Sequence, residues 1–221
     1  MNLELFTITF LPSLIIIFYI VYSDKFREPA LAVIKTLIIG FLITIPAAYF
    51  NKLIIFDAGR SALFAGLTEE TLKYFILFFY IGKQKYFDEP MDALVYGVLI
   101  SMGFASYENY TYVLQAIQGS KDSYSVSLIR AFTAVPMHAI CGVIMGYFFG
   151  YANFIKRKNN LAKALFFPMT IHACYNFLVE TVSIFFVFFY LIIIFKYANY
   201  LHIKFKEMQK LKIKEHEEKI I

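Results

Sequence analysis

The stretch ALFAGLTEETLKYFILFFYI, residues 62–81, is apolar over most of its length yet carries Glu69, Glu70 and Lys73 near its middle. Twenty helical residues span about 30 Å, the hydrocarbon thickness of a bilayer. A core helix of a soluble protein is rarely this long and this uniformly apolar outside one short polar patch. Within a membrane, an ionisable side chain costs several kcal/mol unless it is paired, so such residues mark function by default. Residues 62–81 therefore read as a transmembrane helix that contributes to a buried polar site.

The rest of the chain agrees. Its 221 residues are 60% hydrophobic and 17% charged, with a mean hydropathy of +0.62, against about a quarter charged in soluble domains. The apolar residues gather into about seven runs, near Leu5–Tyr22, Ala30–Phe50, Ala62–Ile81, Met91–Val113, Val126–Tyr151, Ala164–Val179 and Thr181–Tyr200. The expected fold is thus an all-α, polytopic transmembrane bundle. The first run lacks a basic leader and a small-residue cleavage site, so it reads as a span and not a removed signal peptide. The last two runs meet so closely around Glu180 that a re-entrant pair fits as well as two crossings.

Orientation follows from the basic residues of the connections. Lys25 and Arg27, then Lys83 and Lys85, then Lys156, Arg157, Lys158 and Lys163 fall on one side. The other side holds only Lys52, Arg60 and Lys121, and six lysines follow Tyr200. The expectation is an outside N-terminus and a cytoplasmic C-terminus. Residues 1–200 form the transmembrane domain, with a motif-bearing core over about 62–180, and residues 201–221 a basic cytoplasmic tail. The net charge of +5, with six lysines in that tail, suits an anionic lipid surface; nothing supports a nucleic-acid partner. Cys141 and Cys174 both lie in apolar runs and read as free thiols. Gly142, Gly146 and Gly150, four residues apart, mark a face where a neighbouring helix approaches closely.

Polar residues recur where they are expensive: Glu69, Glu70 and Lys73 in the third run, Glu108 and Asn109 in the fourth, Arg130 and His138 in the fifth, His172 and Asn176 in the sixth. At 1.5 Å per residue, Glu69 and Glu70 lie roughly 10–12 Å below the outer surface, Glu108 about 8 Å, Arg130 about 6 Å, His172 about 12 Å and His138 about 18 Å. Four antiparallel runs thus bring their polar groups to similar depths. Lys73 is within reach of Glu69 and Glu70 on one helical face; it can hold one glutamate ionised and leave the other for general acid–base chemistry. His172 and Asn176 share a face, as do Phe104 and Glu108. Pro136 and Pro168 precede the two histidines and free backbone carbonyls beside them. Asp88, Glu89 and Asp92 read as solvated loop carboxylates.

At these residues the sequence resembles the PrsW family of glutamic-type intramembrane proteases. The matching words are Glu69-Glu70-Thr71-Leu72-Lys73; Glu89-Pro90-Met91-Asp92 continuing to Tyr96-Gly97; Gly103-Phe104-Ala105-Ser106-Tyr107-Glu108-Asn109; Arg130 ahead of Pro136-Met137-His138; and His172 ahead of Tyr175-Asn176. They run in order over about half the chain, from Leu63 to Asn176. The family is similar to the type II CAAX prenyl endopeptidases, but four residues after Phe104 the third word carries Glu108 where those enzymes carry histidine, which fits the PrsW branch. The resemblance implies an integral protein of a bacterial cytoplasmic membrane that clips a single-pass membrane protein near its outer face. An anti-sigma factor is the family's precedent for that substrate.

The chemistry expected is hydrolysis by water, activated by Glu69 or Glu70 with Glu108 or His138 assisting. His172 and Asn176 would bind the oxyanion, with Lys73, Asn109 and Arg130 supporting, and no cofactor. No serine or cysteine lies beside a histidine on a compatible face, which disfavours a covalent route. Two other readings fit the same residues. Glu69, Glu70, Glu108, His138 and His172 could ligate zinc, which would then activate the water. Alternatively, buried glutamates and histidines could build the relay of a proton-coupled transporter, for which two related halves are expected and only a short Pro-Met-His echo is seen.

Overall fold

The computed structural model describes residues 1–54, 61–155 and 158–218. Among these there are helices and no strands. They are α1 (Leu3–Ser23), α2 (Ala30–Leu42), α3 (Thr44–Ile54), α4 (Ser61–Phe79), α5 (Pro90–Gln118), α6 (Ser123–Phe132), α7 (Ala134–Phe154), α8 (Asn160–Thr181) and α9 (Ile184–Glu218), with one 3₁₀ turn at Ile81–Lys83. The all-helical expectation holds. Two of the expected runs are each broken into a pair of helices, α2–α3 at Ile43 and α6–α7 at Thr133, each three residues before a proline, Pro46 and Pro136. Each proline sits in the first turn of the second helix, where its missing N–H costs little, but it cannot donate back to the preceding helix. Arg60, Lys156 and Arg157, used above for orientation, lie outside the described residues.

By length and apolarity, α1, α2–α3, α6–α7 and the first thirty-one residues of α9 qualify as membrane spans. The remaining segments, α4, α5 and α8, carry Glu69, Glu70, Lys73, Glu108 and His172, and these polar groups dilute their apolar character. The outer helices turn Phe18, Leu31, Ile38, Phe185, Phe189 and Phe195 outward, a surface suited to lipid tails.

The bundle is organised around α5. Its side chains from Met91 to Ala105 are all buried, and it packs along α7, α2 and α1. Close approach to α7 depends on glycine: a Cβ at Gly97 would fall 2.5 Å from the Gly142 carbonyl oxygen, and one at Gly142 would fall 2.7 Å from that of Gly97. The four-residue glycine spacing on α7 thus faces α5. Helix α8 lies against α4 and α7, where a Cβ at Gly66 would meet the Ala173 backbone nitrogen at 2.7 Å. Cys141 is buried and Cys174 exposed, and both are free.

Helix α9 runs without interruption through Tyr200. Leu201, His202, Phe205 and Gln209 of its basic extension are buried against the body. There Gln209 donates from Nε2 to Asp24 at 2.7 Å and to Glu89. Glu89 and Asp92 are 2% and 1% exposed, and so are not the solvated loop carboxylates the sequence suggests. They form a capping box at the start of α5, in which the backbone N–H groups of Asp88 and Glu89 both donate to Asp92 Oδ2 at 2.7 Å. Burial pushes the pKa values of Asp24, Glu28 and Glu89 up from those of free carboxyls.

Candidate active site

Consecutive residues on a helix point about 100° apart, so the two glutamates of α4 have different surroundings. Glu70 faces inward and is fully buried. Its Oε1 accepts from Lys73 Nζ at 2.6 Å and from His172 Nδ1 at 2.9 Å. Glu69, 5% exposed, borders a cavity of about 610 Å³ together with Glu108, His138, His172 and Asn176. Glu69 Oε1 accepts from Asn51 Nδ2 at 3.1 Å, and Asn51 Oδ1 in turn accepts from the Thr68 hydroxyl at 2.6 Å. The second oxygens of both glutamates, Glu69 Oε2 and Glu70 Oε2, are buried and have no hydrogen-bond partner.

Lys73 links the glutamates to α7. It is wholly buried, lies 3.0 Å from His138 Nδ1, and sits 4.2 Å above the Phe104 ring centroid. A lysine ammonium can only donate, so His138 Nδ1 accepts and the ring proton is on Nε2. That nitrogen donates to Glu108 Oε2 at 2.9 Å. Glu108 Oε2 also accepts from Arg130 Nη2 at 2.7 Å, while Arg130 Nε donates to Asn109 Oδ1 at 2.7 Å. Asn109 then donates to the Thr9 carbonyl of α1 at 3.1 Å. The Arg130 guanidinium lies 3.9 Å from the Tyr112 ring centroid.

The sequence-predicted residues therefore assemble. Glu70, Lys73, Glu108, Asn109, Arg130, His138 and His172 form one continuous polar network across α4, α5, α6, α7 and α8; Glu69 stands beside it, 3.8 Å from His172 Nε2, and Asn176 lines the same cavity. The break at Thr133 lets Arg130 of α6 and His138 of α7 converge on one carboxylate. The two histidine rings meet edge to face, with centroids 4.9 Å apart. Sequence reasoning missed Asn51, Thr68, Tyr112 and Thr9; a neutral amide near the end of an apolar run carries no signal that separates it from an interfacial residue.

Three carboxylates, Glu69, Glu70 and Glu108, face two fixed cations, Lys73 and Arg130. The difference suits one proton or one further cation on the cavity side. Glu69, His138 and His172 offer ligand atoms within 4.8 Å of one another. His172 is prepared for such a role: Nδ1 donates to Glu70, which leaves the Nε2 lone pair 3.8 Å from Glu69 Oε2. A carboxylate behind an imidazole is the usual way a ligating histidine is oriented. At His138, Lys73 and Glu108 occupy both ring nitrogens, so ligation there requires one of them to withdraw. Two histidines and a glutamate match the donor set of catalytic zinc sites.

Residues 28–200 match the family model described as "PrsW family intramembrane metalloprotease". The chain is 32% identical over 184 residues to the protease PrsW of Oceanobacillus iheyensis, covering 79% of this chain and 82% of the relative. Against the protease PrsW of Clostridioides difficile it is 33% identical over 192 residues, 80% of each chain. Against that of Bacillus subtilis it is 30% identical over 182 residues, 78% of this chain and 81% of the relative. No solved structure matches the chain.

Proposed function

The chain belongs to the PrsW family of intramembrane proteases, and on that premise we propose that Glu69 activates the hydrolytic water in the cavity between α4, α5, α7 and α8. The observation that carries this reading is the asymmetry of the glutamate pair. Glu70 has its back to the cavity and is held by Lys73 and His172. Glu69 borders the cavity with an unpartnered oxygen.

In the proposed reaction, Glu69 takes a proton from water as the water oxygen attacks the scissile carbonyl carbon. The carbonyl oxygen becomes an oxyanion and receives hydrogen bonds from Asn176 and, when its ring carries both protons, from His172 Nε2. One such donor typically contributes about 3–4 kcal/mol. Glu69 then passes the proton to the departing amine nitrogen as the C–N bond breaks. Glu70 and Lys73 fix the imidazoles, and Arg130 with His138 holds Glu108 at the cavity wall. Asn51 orients Glu69 through its other oxygen.

The donor set also supports a metal-assisted form of the same reaction, with a divalent ion such as zinc held by Glu69, His138 and His172. When bound, zinc makes water more acidic and polarises the carbonyl. The two forms separate in one experiment. The purified protein is reconstituted with a single-pass membrane substrate and compared with Glu69→Gln, with and without chelator. Glu69→Gln should lower turnover by about 10²–10⁴, the usual contribution of a general base. Turnover unchanged by that substitution removes Glu69 from the chemistry. Loss of activity on chelation, restored by zinc, selects the metal form. A single-pass anchor, with an anti-sigma factor as one such protein, is the proposed substrate class, because the cavity lies within the apolar bundle.

A further inference from the structure

Asp92 lies sixteen residues before Glu108 on α5, about 24 Å along the helix. At this far end of the bundle a second carboxylate cluster plays no part in the proteolytic reading. Asp24, Glu28 and Asp92 come from the end of α1, the α1–α2 connection and the first turn of α5, and their ligand oxygens lie within 4.8 Å of one another. Each carboxylate accepts from protein donors through one oxygen, and Glu28 and Asp92 also hydrogen-bond each other, sharing a proton that a bound cation would displace. Asp24 Oδ1 accepts from Gln209 and from the Phe26 backbone N–H, Glu28 Oε2 from the Tyr96 hydroxyl, and Asp92 Oδ2 from two backbone N–H groups. Asp24 is 4% exposed, and its other oxygen, Oδ2, is buried with no hydrogen-bond partner.

Charge is not balanced there. Among the described residues no lysine or arginine forms an ion pair with Asp24, Glu28 or Asp92. Among the described residues, the one cation paired with nearby Glu89 is Lys212 at 3.5 Å, whose side chain is 62% exposed. Three carboxylates brought together from three segments repel one another strongly in a partly buried site. Clustered carboxylate oxygens, an orphaned buried acceptor and missing lysine or arginine counter-charge are together what a cation site requires.

We propose that Asp24, Glu28 and Asp92 bind a hard divalent cation, Mg²⁺ or Ca²⁺, at the end of the bundle opposite the catalytic cavity. The all-oxygen donor set, without sulfur or imidazole, selects such ions over zinc. Glu28 is only half-buried and gives the ion a route from solvent. Bound there, the ion ties the α1–α2 connection to the start of α5, beside the Gln209 contacts that dock α9.

The test uses the full-length protein in detergent, freed of metal by chelation and dialysis, with Ca²⁺ and Mg²⁺ added separately. Calorimetry should show one ion bound per chain, and Tm should rise by roughly 5 °C at about a hundred times Kd. Both effects should disappear in Asp24→Asn with Glu28→Gln and persist in Glu69→Gln, which separates this site from the catalytic one. The single Glu28→Gln variant, altered at the half-exposed ligand, should bind at least tenfold more weakly and serves if the double variant does not fold. No binding by the folded wild type at about 10 mM of either ion, above the range of weak carboxylate sites, overturns the proposal. So does binding that survives the substitutions, or that is lost in Glu69→Gln. Since these readouts do not involve turnover, failure here leaves the proteolytic reading intact, and the reverse also holds.

Discussion

Lys73 is the residue on which the buried network depends. It has no solvent exposure, donates to Glu70 and His138, and rests on the face of Phe104. Removing one partner of a buried ion pair leaves the other charge uncompensated, at about 3–5 kcal/mol. Lys73→Met should therefore lower the unfolding free energy by that amount as well as abolish turnover, and denaturation in detergent reads the first effect directly. The two glutamates should divide in the same way. Glu70→Gln loses the charge that meets Lys73 and should cost both stability and activity. Glu69→Gln keeps an oxygen for Asn51 and breaks no ion pair with Lys73, so it should cost activity with a clearly smaller loss of stability than Glu70→Gln. Equal destabilisation by the two would contradict the division of labour. At this scale the sequence was most informative where burial is most expensive, so Glu69, Glu70, Lys73, Glu108, His138 and His172 stand out from their apolar surroundings. Asn51 does not, because a neutral amide is cheap near a helix end. Glu89 and Asp92 look solvated because the residue that covers Glu89, Gln209, lies 120 positions away in the chain.

Helices bring these residues together only because some backbones come unusually close. Gly66 lets α4 lie against α8 at the level of Ala173, the residue after His172. In Gly66→Val the Cβ would sit 2.7 Å from a backbone nitrogen, and neither backbone can yield without separating the helices. Overpacking of this kind costs about 1–3 kcal/mol, and a displacement near 1 Å at a catalytic group can cost about 10²-fold in rate. Gly66→Val should thus reduce turnover by roughly that factor while the protein still folds; turnover within threefold of wild type would mean that the α4–α8 spacing does not set the distance from His172 to Glu70. The helix breaks were half visible. Pro46 and Pro136 announce irregular backbone, but the pattern of apolar residues continues across both, so hydropathy reads each pair of helices as one span. What hydropathy cannot convey is the use of the second break. Thr133 separates α6 from α7, and its hydroxyl accepts from Tyr175 of α8 at 3.0 Å, which places Arg130 and His138 on either side of a single carboxylate.

Across the whole molecule, the polar network and the acidic cluster occupy opposite ends of α5. The network is tied to α1 at Thr9, six residues or about 9 Å from that helix's start, whereas Asp24 closes its other end. The catalytic cavity therefore lies in the half of the bundle nearer the N-terminus. Basic residues in the connections favour an outside N-terminus, which would put the cavity beneath the outer leaflet and the acidic cluster at the cytoplasmic face, where Mg²⁺ is abundant. The direction of the bundle is testable without knowing the substrate. With Cys141 and Cys174 replaced by serine and alanine, a single cysteine at Lys121, in the turn between α5 and α6, should react with a membrane-impermeant maleimide in intact cells. One at Gln84, in the connection between α4 and α5, should react only after the cells are opened. Both positions lie in connections at opposite ends of α5, so the pair reads direction independently of the number of spans. The reverse labelling pattern would put the catalytic cavity in the cytoplasmic half and confine substrates to those cut from that side.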